Sequence, residues 1–447
     1  MPREPGVIHM RVLHINTTSH TGGASRAMRR LHTALIEKNH ESRFLVGKTT
    51  DPQDPQVHLI SDEVSEYRSL ENGVKSRIGY RLEKLWGIHP WSNRAMLELA
   101  NTPLFRWADI VDLRNLFGRY FNLWSLPALS VARPIVWRLP DLWAVTGHCA
   151  YPYDCQRWKT GCHHCPLLTG EGRKIVEPRP TTRDGTRRVW RAKRDLYGKA
   201  RLHIIVTTEW MRDNVRQSIL GNALSVNVIS NGVNLEVFKP ISRLEARSRL
   251  GLPLDESCLL WAAAGKGSYR KGFHLVVKAM EQIQSRGQFS PTLLTMGEEQ
   301  GWNLPEPLQK ARHFGFVEDA SKQALIYAAA DVFLCSTLAD GQPQTALESL
   351  ATGTPIIAFD VGPMPDLAID GQTGFLAPAR TAQSLREAIE KFLRQSDLHP
   401  AMRENSRKQA LEKYDIGKQT EKYIELYSRV LEEKATTVPD HVRREGP

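Results

Sequence analysis

The sequence predicts an α/β protein built as two βαβ halves, and three observations carry that expectation. Residues 332–359 alternate apolar strand, polar loop, helix and apolar strand, with the helix opening at Pro343 and stopping at Gly353. Proline at the first helical position and glycine just past the last are start and stop signals. The same alternation opens the chain, where residues 10–16 read as a strand that leads through a glycine-bearing loop into a helix, and it restarts at Leu259. A length of 447 residues is enough for two or three domains.

Taken in order, strand 10–16 is followed by a helix over 25–38. Leu31, Ala34 and Leu35 form its apolar stripe, and Arg26, Arg29 and Arg30 cluster near its start. Residues 42–46 give a second strand. Residues 50–105 show aromatic anchors, Trp86 and Trp91, but no chemistry. Strands are expected at 108–113, 134–139, 203–207 and 226–229, with a helix over 187–196. The second half has strands at 259–263 and 291–296, helices at 273–284, 322–329 and 384–394, and a last helix over 416–433. That helix spaces Tyr423, Leu426, Tyr427 and Val430 helically. The expected division is a first domain over 1–235 with a Cys-rich insertion at 141–182, a linker over 236–256 and a second domain over 257–415. A helix over 416–434 then crosses back, and 435–447 form a disordered tail.

Apolar content of 41% and charged content of 24% suit a globular protein. No apolar run approaches the roughly 18 residues that span a bilayer, and the N-terminus lacks a signal peptide's apolar core, so a cytoplasmic location is expected. The net charge of +11 favours a polyanionic partner: nucleic acid, anionic lipid headgroups or a pyrophosphate-bearing substrate.

Two acids mark the loop and helix after residue 335. Asp340 lies in the loop. Glu348 stands one turn after Gln344, and helical side chains lean toward the N-terminus, so its carboxylate reaches back toward the strand ends. Open α/β sheets bind ligands there. The glycine-rich run Ala264-Gly265-Lys266-Gly267-Ser268-Tyr269-Arg270-Lys271-Gly272 precedes a second helix. Such a loop lets backbone approach a phosphate, and the helix start offers N–H groups to an anion. Four cysteines, Cys149, Cys155, Cys162 and Cys165, fall within seventeen residues. In a chain without a secretion signal this density puts a structural zinc site first, with disulfides and free thiols as alternatives.

The segment from Asp340 to Pro355 resembles the signature of family 4 (group 1) retaining glycosyltransferases: two acids eight positions apart, then a small-residue run ending Gly-x-Pro. Asp340 stands where the family has glutamate. The resemblance implies a GT-B fold, two Rossmann-like domains facing a central cleft. It implies a nucleotide-sugar donor, UDP- or GDP-linked, held by Gly265, Lys266, Lys271, Gly341, Gln342, Gln344, Thr345, Glu348 and Phe316. Lys266 replaces the family's arginine. Asp340, Glu348 and Lys271 are the catalytic candidates of this half. Gly22 and Gly23 resemble the family's Gly-Gly loop at the sugar phosphate and acceptor. Residues 135–143 resemble the motif of the colanic-acid and exopolysaccharide subgroup, which has a similar Cys-rich insertion. Pro140 replaces its histidine and Arg114 a second one, which leaves Asp141 as the catalytic candidate of the first domain.

The expected activity is therefore retaining, metal-independent sugar transfer to a glycan or lipid-linked acceptor in polysaccharide biosynthesis, with peripheral contact at the inner face of the membrane and no nucleic acid. The departures at Pro140, Arg114 and Asp340 keep open a catalytically inactive regulator or partner subunit. A zinc-containing nucleic-acid-binding protein would leave the signature unexplained.

Overall fold

The computed structural model describes residues 9–20, 23–49, 51–64, 85–87, 94–117, 120–178, 180–263, 268–297, 308 and 310–437. The chain divides into two compact units, residues 1–229 with 420–447, and residues 230–419.

The first unit holds a seven-stranded sheet. Its strands are β1 (Arg11–Thr18), β2 (Glu41–Lys48), β3 (Val57–Leu59), β4 (Ile110–Leu113), β5 (Ile135–Arg138), β6 (Leu202–Val206) and β7 (Ser225–Val228), in the order β3-β2-β1-β4-β5-β6-β7. Every pair is parallel. Strands covered on both faces read as continuous apolar runs, and β4, β5 and β6 are buried along their whole length. The helix Gly23–Glu37 buries Leu31 and Leu35 against one face. There they meet Tyr423, Leu426, Tyr427 and Val430 of the long helix Ile416–Thr437.

The second unit holds β8 (Cys258–Ala262), β9 (Thr292–Met296), β10 (Arg312–His313), β11 (Val332–Cys335), β12 (Ile356–Phe359) and β13 (Gly374–Ala377), in the order β10-β9-β8-β11-β12-β13. All of its pairs are parallel too. Residues 236–256, expected as a linker, are packed into this unit. The helix Arg243–Leu250 buries Ala246 and Arg247. Arg247 donates to the carbonyls of Ala329, Leu254 and Glu256 and to Asp331 Oδ2 at 2.7 Å. Burying that guanidinium requires such complete pairing. β3, β13 and the helix His399–Lys413 have no counterpart among the elements expected from the sequence.

Candidate active site

In the second sheet the chain runs from β8 out through β9 and β10, then returns to β11 and continues through β12 and β13 on the other side. The switch point therefore lies between β8 and β11. In open α/β sheets the loops at such a switch point diverge and leave a crevice at the strands' carboxyl ends. The loops concerned are 263–272 and 336–343, the two that the sequence reading singled out.

Their described parts are clasped together. Leu338 N donates to Arg270 O at 2.7 Å, and Ser336 Oγ donates to Lys271 O at 2.9 Å. Ser336 is itself held by Trp261 Nε1 at 3.1 Å. Gly272 sits at φ +71°, and a Cβ there would lie 1.9 Å from Ser336 O. Only glycine accommodates both the left-handed backbone and this approach. Gly272→Ala is expected to cost about 2 kcal/mol or more through strain and displacement of the loop. A fall in thermal midpoint accompanied by weakened donor binding is the check.

The clasp brings two cations onto one acid. Asp340 Oδ2 accepts from Lys271 Nζ at 2.8 Å and from Arg270 Nη1 at 2.8 Å. Burial works to raise the Asp340 carboxyl, but the charges of Lys271 and Arg270 hold it below the usual carboxylate range. The result is a nearly enclosed carboxylate with two cations, one of which, Lys271, keeps a quarter of its side chain exposed. The helices Phe273–Arg286 and Gln344–Ala351 start here, and neither first turn is capped by a side chain. Their N–H groups and positive dipole ends add to the preference for an anion.

Glu348, on the helix Gln344–Ala351, is partly exposed and accepts from Tyr327 OH at 3.2 Å. Gly341 and Gln342 are buried, and Gln344 and Thr345 partly so. Two expected donor contacts are engaged elsewhere. Gln342 Oε1 accepts from Asn231 N at 2.7 Å, and Gln344 Nε2 donates to Gly232 O at 3.2 Å. These side chains fasten the segment after β7 to the loop, a use that no spacing in the sequence signals. Phe316 follows Gly315 and is half exposed. Gly265 and Lys266 lie outside the described residues. Arg270, absent from the expected donor contacts, is the cation beside Lys271, and the basic Arg270-Lys271 pair is its signal in the sequence.

The first sheet has its own switch point between β1 and β4. Gly22 lies outside the described residues, and Gly23 opens the helix after β1. Thr17 Oγ1 donates to Asn115 O at 3.0 Å, tying the end of β1 to the loop after β4. Asp141 Oδ1 accepts from Trp143 N at 2.8 Å and so shapes the turn after β5. Arg114 occupies no open site. It is buried, donates from Nε to Asp112 Oδ2 at 2.7 Å and from Nη1 to Tyr423 OH at 3.1 Å, while His14 Nδ1 pairs with the same Asp112 oxygen at 2.7 Å. The position read as a lost acceptor-side histidine carries a buried ion network under the C-terminal helix.

The four cysteines of the insertion are free thiols around one cavity.

Residues 245–409 match the family model of glycosyl transferases group 1. The matched stretch contains Arg270, Lys271, Asp340 and Glu348. Over 201 residues the chain is 27% identical to D-inositol 3-phosphate glycosyltransferase of Mycobacteroides abscessus, covering 42% of this chain and 44% of that protein. The chain spans about half the length of the curated relatives it matches. Among solved structures, sucrose-phosphate synthase from Thermosynechococcus elongatus aligns with a TM-score of 0.64 at 19% identity, over 95% of this chain and 100% of that one. Anabaena HepE in complex with UDP and glucose aligns with a TM-score of 0.63 at 15% identity, over 94% and 100%. At these identities the likeness is one of fold, and the fold is GT-B: two parallel-sheet α/β domains.

Proposed function

We propose that this chain is a retaining glycosyltransferase that moves a sugar from a UDP- or GDP-linked donor to a glycan or lipid-linked acceptor in polysaccharide biosynthesis. The observation that carries the reading is the pairing of Lys271 and Arg270 over Asp340 at the β8/β11 switch point, within the group 1 region. The UDP complex of HepE supports a nucleotide donor.

Cleaving a sugar–phosphate bond builds positive charge on the anomeric carbon and negative charge on the leaving diphosphate. Lys271, Arg270 and the two helix starts stabilise that anion where it develops, without a divalent metal. Glu348 accepts from the ribose hydroxyls. Asp340 and the backbone of 341–344 meet the sugar. The acceptor hydroxyl attacks on the face that the diphosphate leaves, and the leaving phosphate takes its proton. Gly22, Gly23 and Asp141 are assigned to the acceptor side. Among the described residues no helix is long and apolar enough to cross a membrane. Cytoplasmic placement with peripheral contact at the inner membrane face is part of the proposal.

One observation favours the second reading, a catalytically inactive regulator or partner subunit: Arg114 and Asp141 serve structural bonds. A panel of UDP- and GDP-sugars separates the two. The enzyme reading expects thermal stabilisation by one donor and slow hydrolysis of it. Stabilisation without turnover of any donor or acceptor supports the regulator, and no binding at all sinks both.

A further inference from the structure

The insertion after β5 has little hydrophobic core of its own. Its separate buried cluster consists of Cys149, Cys165, Leu167, Leu168 and Val176. Leu142, Trp143, Ala144, Val145 and Trp158 of the insertion join the core of the first unit, while the rest of its described residues bury little beyond that small cluster. Small segments with so little apolar burial are held by cross-links or metals. The segment is nevertheless tightly fastened. Leu142 N donates to Ala150 O at 3.0 Å, Trp190 Nε1 to Trp158 O at 2.8 Å, and Cys165 N to Asp184 Oδ2 at 2.7 Å.

Three further observations converge on the four thiols. Cys149, Cys155, Cys162 and Cys165 line one cavity. Gly147 N donates to Cys162 Sγ at 3.2 Å, the bond a thiolate ligand accepts well. Lys193 is buried and donates to the carbonyls of Trp143 and Thr146 at 2.5 and 3.0 Å, which fixes the turn leading into Gly147 and Cys149.

We propose that Cys149, Cys155, Cys162 and Cys165 bind one Zn²⁺ that fixes the insertion behind the turn carrying Asp141. Four cysteine ligands close the tetrahedral shell, so the metal is structural and leaves no position for substrate. Each thiol releases its proton to solvent on binding. The centre then carries two negative charges. The ligating groups that already stand within 4.8 Å of one another among the described residues are His20, Asp51 and Asp54, not a cysteine trio. The cysteine site therefore closes by side-chain rotation, for which Cys155 and Cys162 are the less buried pair. The His20 group is a poorer candidate, because Arg29 already pairs with Asp54 at 2.9 Å.

Full-length protein purified without chelator is expected to carry about one zinc per chain by elemental analysis. Exchange for Co²⁺ should give the intense sulfur-to-cobalt charge-transfer absorption of a four-thiolate site. Cys155→Ser and Cys162→Ser should each lose that band, while Cys258→Ser and His20→Ala keep it. Should the serine variants fail to fold, the cobalt spectrum of the unaltered protein decides. Negligible zinc after reconstitution, a cobalt spectrum without sulfur bands, or an intact mass showing a disulfide among the four cysteines would each overturn the proposal.

Discussion

Replacing Lys271 by alanine is expected to lower kcat/KM for the nucleotide-sugar donor about 10²–10³-fold, the cost of removing one charge-stabilising donor from a transition state. In the free protein Lys271 and Arg270 share the carboxylate of Asp340. An arriving diphosphate competes for the same two cations, and its charge grows as the sugar leaves. The interaction is therefore stronger in the transition state than with bound donor, so the loss falls on kcat as well as KM. Stability should change less than activity, because Arg270 still pairs with the Asp340 carboxylate. Glu348→Ala should behave differently. Its proposed ribose contacts are the same in ground and transition states, so KM rises and kcat stays nearly constant. Steady-state kinetics on the donor identified by the panel distinguishes the two patterns. An unchanged kcat/KM in Lys271→Ala would remove Lys271 from the leaving-group site.

Asp331→Ala is expected to destabilise the second unit by about 3–5 kcal/mol, the cost of removing one partner from a buried ion pair. Asp331 Oδ2 accepts from Arg247 and from Cys258 N, each at 2.7 Å, and its other oxygen accepts from Arg243. Arg247 is almost wholly buried, so its charge would be left with carbonyls alone. The backbone N of Cys258, at the start of β8, would lose its acceptor, and β8 is a central strand of the switch point. Calorimetry should show the transition of the second unit moving down while that of the first stays in place. The double change Arg247→Met with Asp331→Leu should recover much of the loss, because apolar side chains of similar volume escape the desolvation penalty. No recovery would mean that packing, not charge, governs the site.

Much of this architecture was legible along the chain. Apolar runs over β1, β4, β5, β8, β11 and β12 announced themselves because strands buried on both faces leave no room for polar alternation. The helix Gln344–Ala351 did so through Pro343 and Gly353, which the structure places as the residue before its start and a left-handed glycine after its end. The helix His399–Lys413 was missed for a physical reason. Its buried residues are Met402, Ser406, Gln409 and Ala410, so its inner face is small and polar and shows no apolar stripe. β3 and β13 are three and four residues long, too short for a periodic signal. The place of Arg114 is not legible in the sequence, because a charged residue after a strand looks alike whether it faces an open site or is buried. Only the packing of Asp112, His14 and Tyr423 around it distinguishes these.

The sequence by itself determined the α/β class, the strand and helix starts of the second half, and the acids and lysine of the candidate site, because these rest on local periodicity, turn chemistry and residue type. Only the tertiary structure decided that β8 and β11 lie side by side. That adjacency joins residues some 70 positions apart and makes Arg270, Lys271 and Asp340 one charged cluster. It also decided that Gln342 and Gln344 hold the chain after β7 and that Arg114 is a buried counter-ion. Strand order and burial are set by contacts distant in sequence, and no local pattern records them.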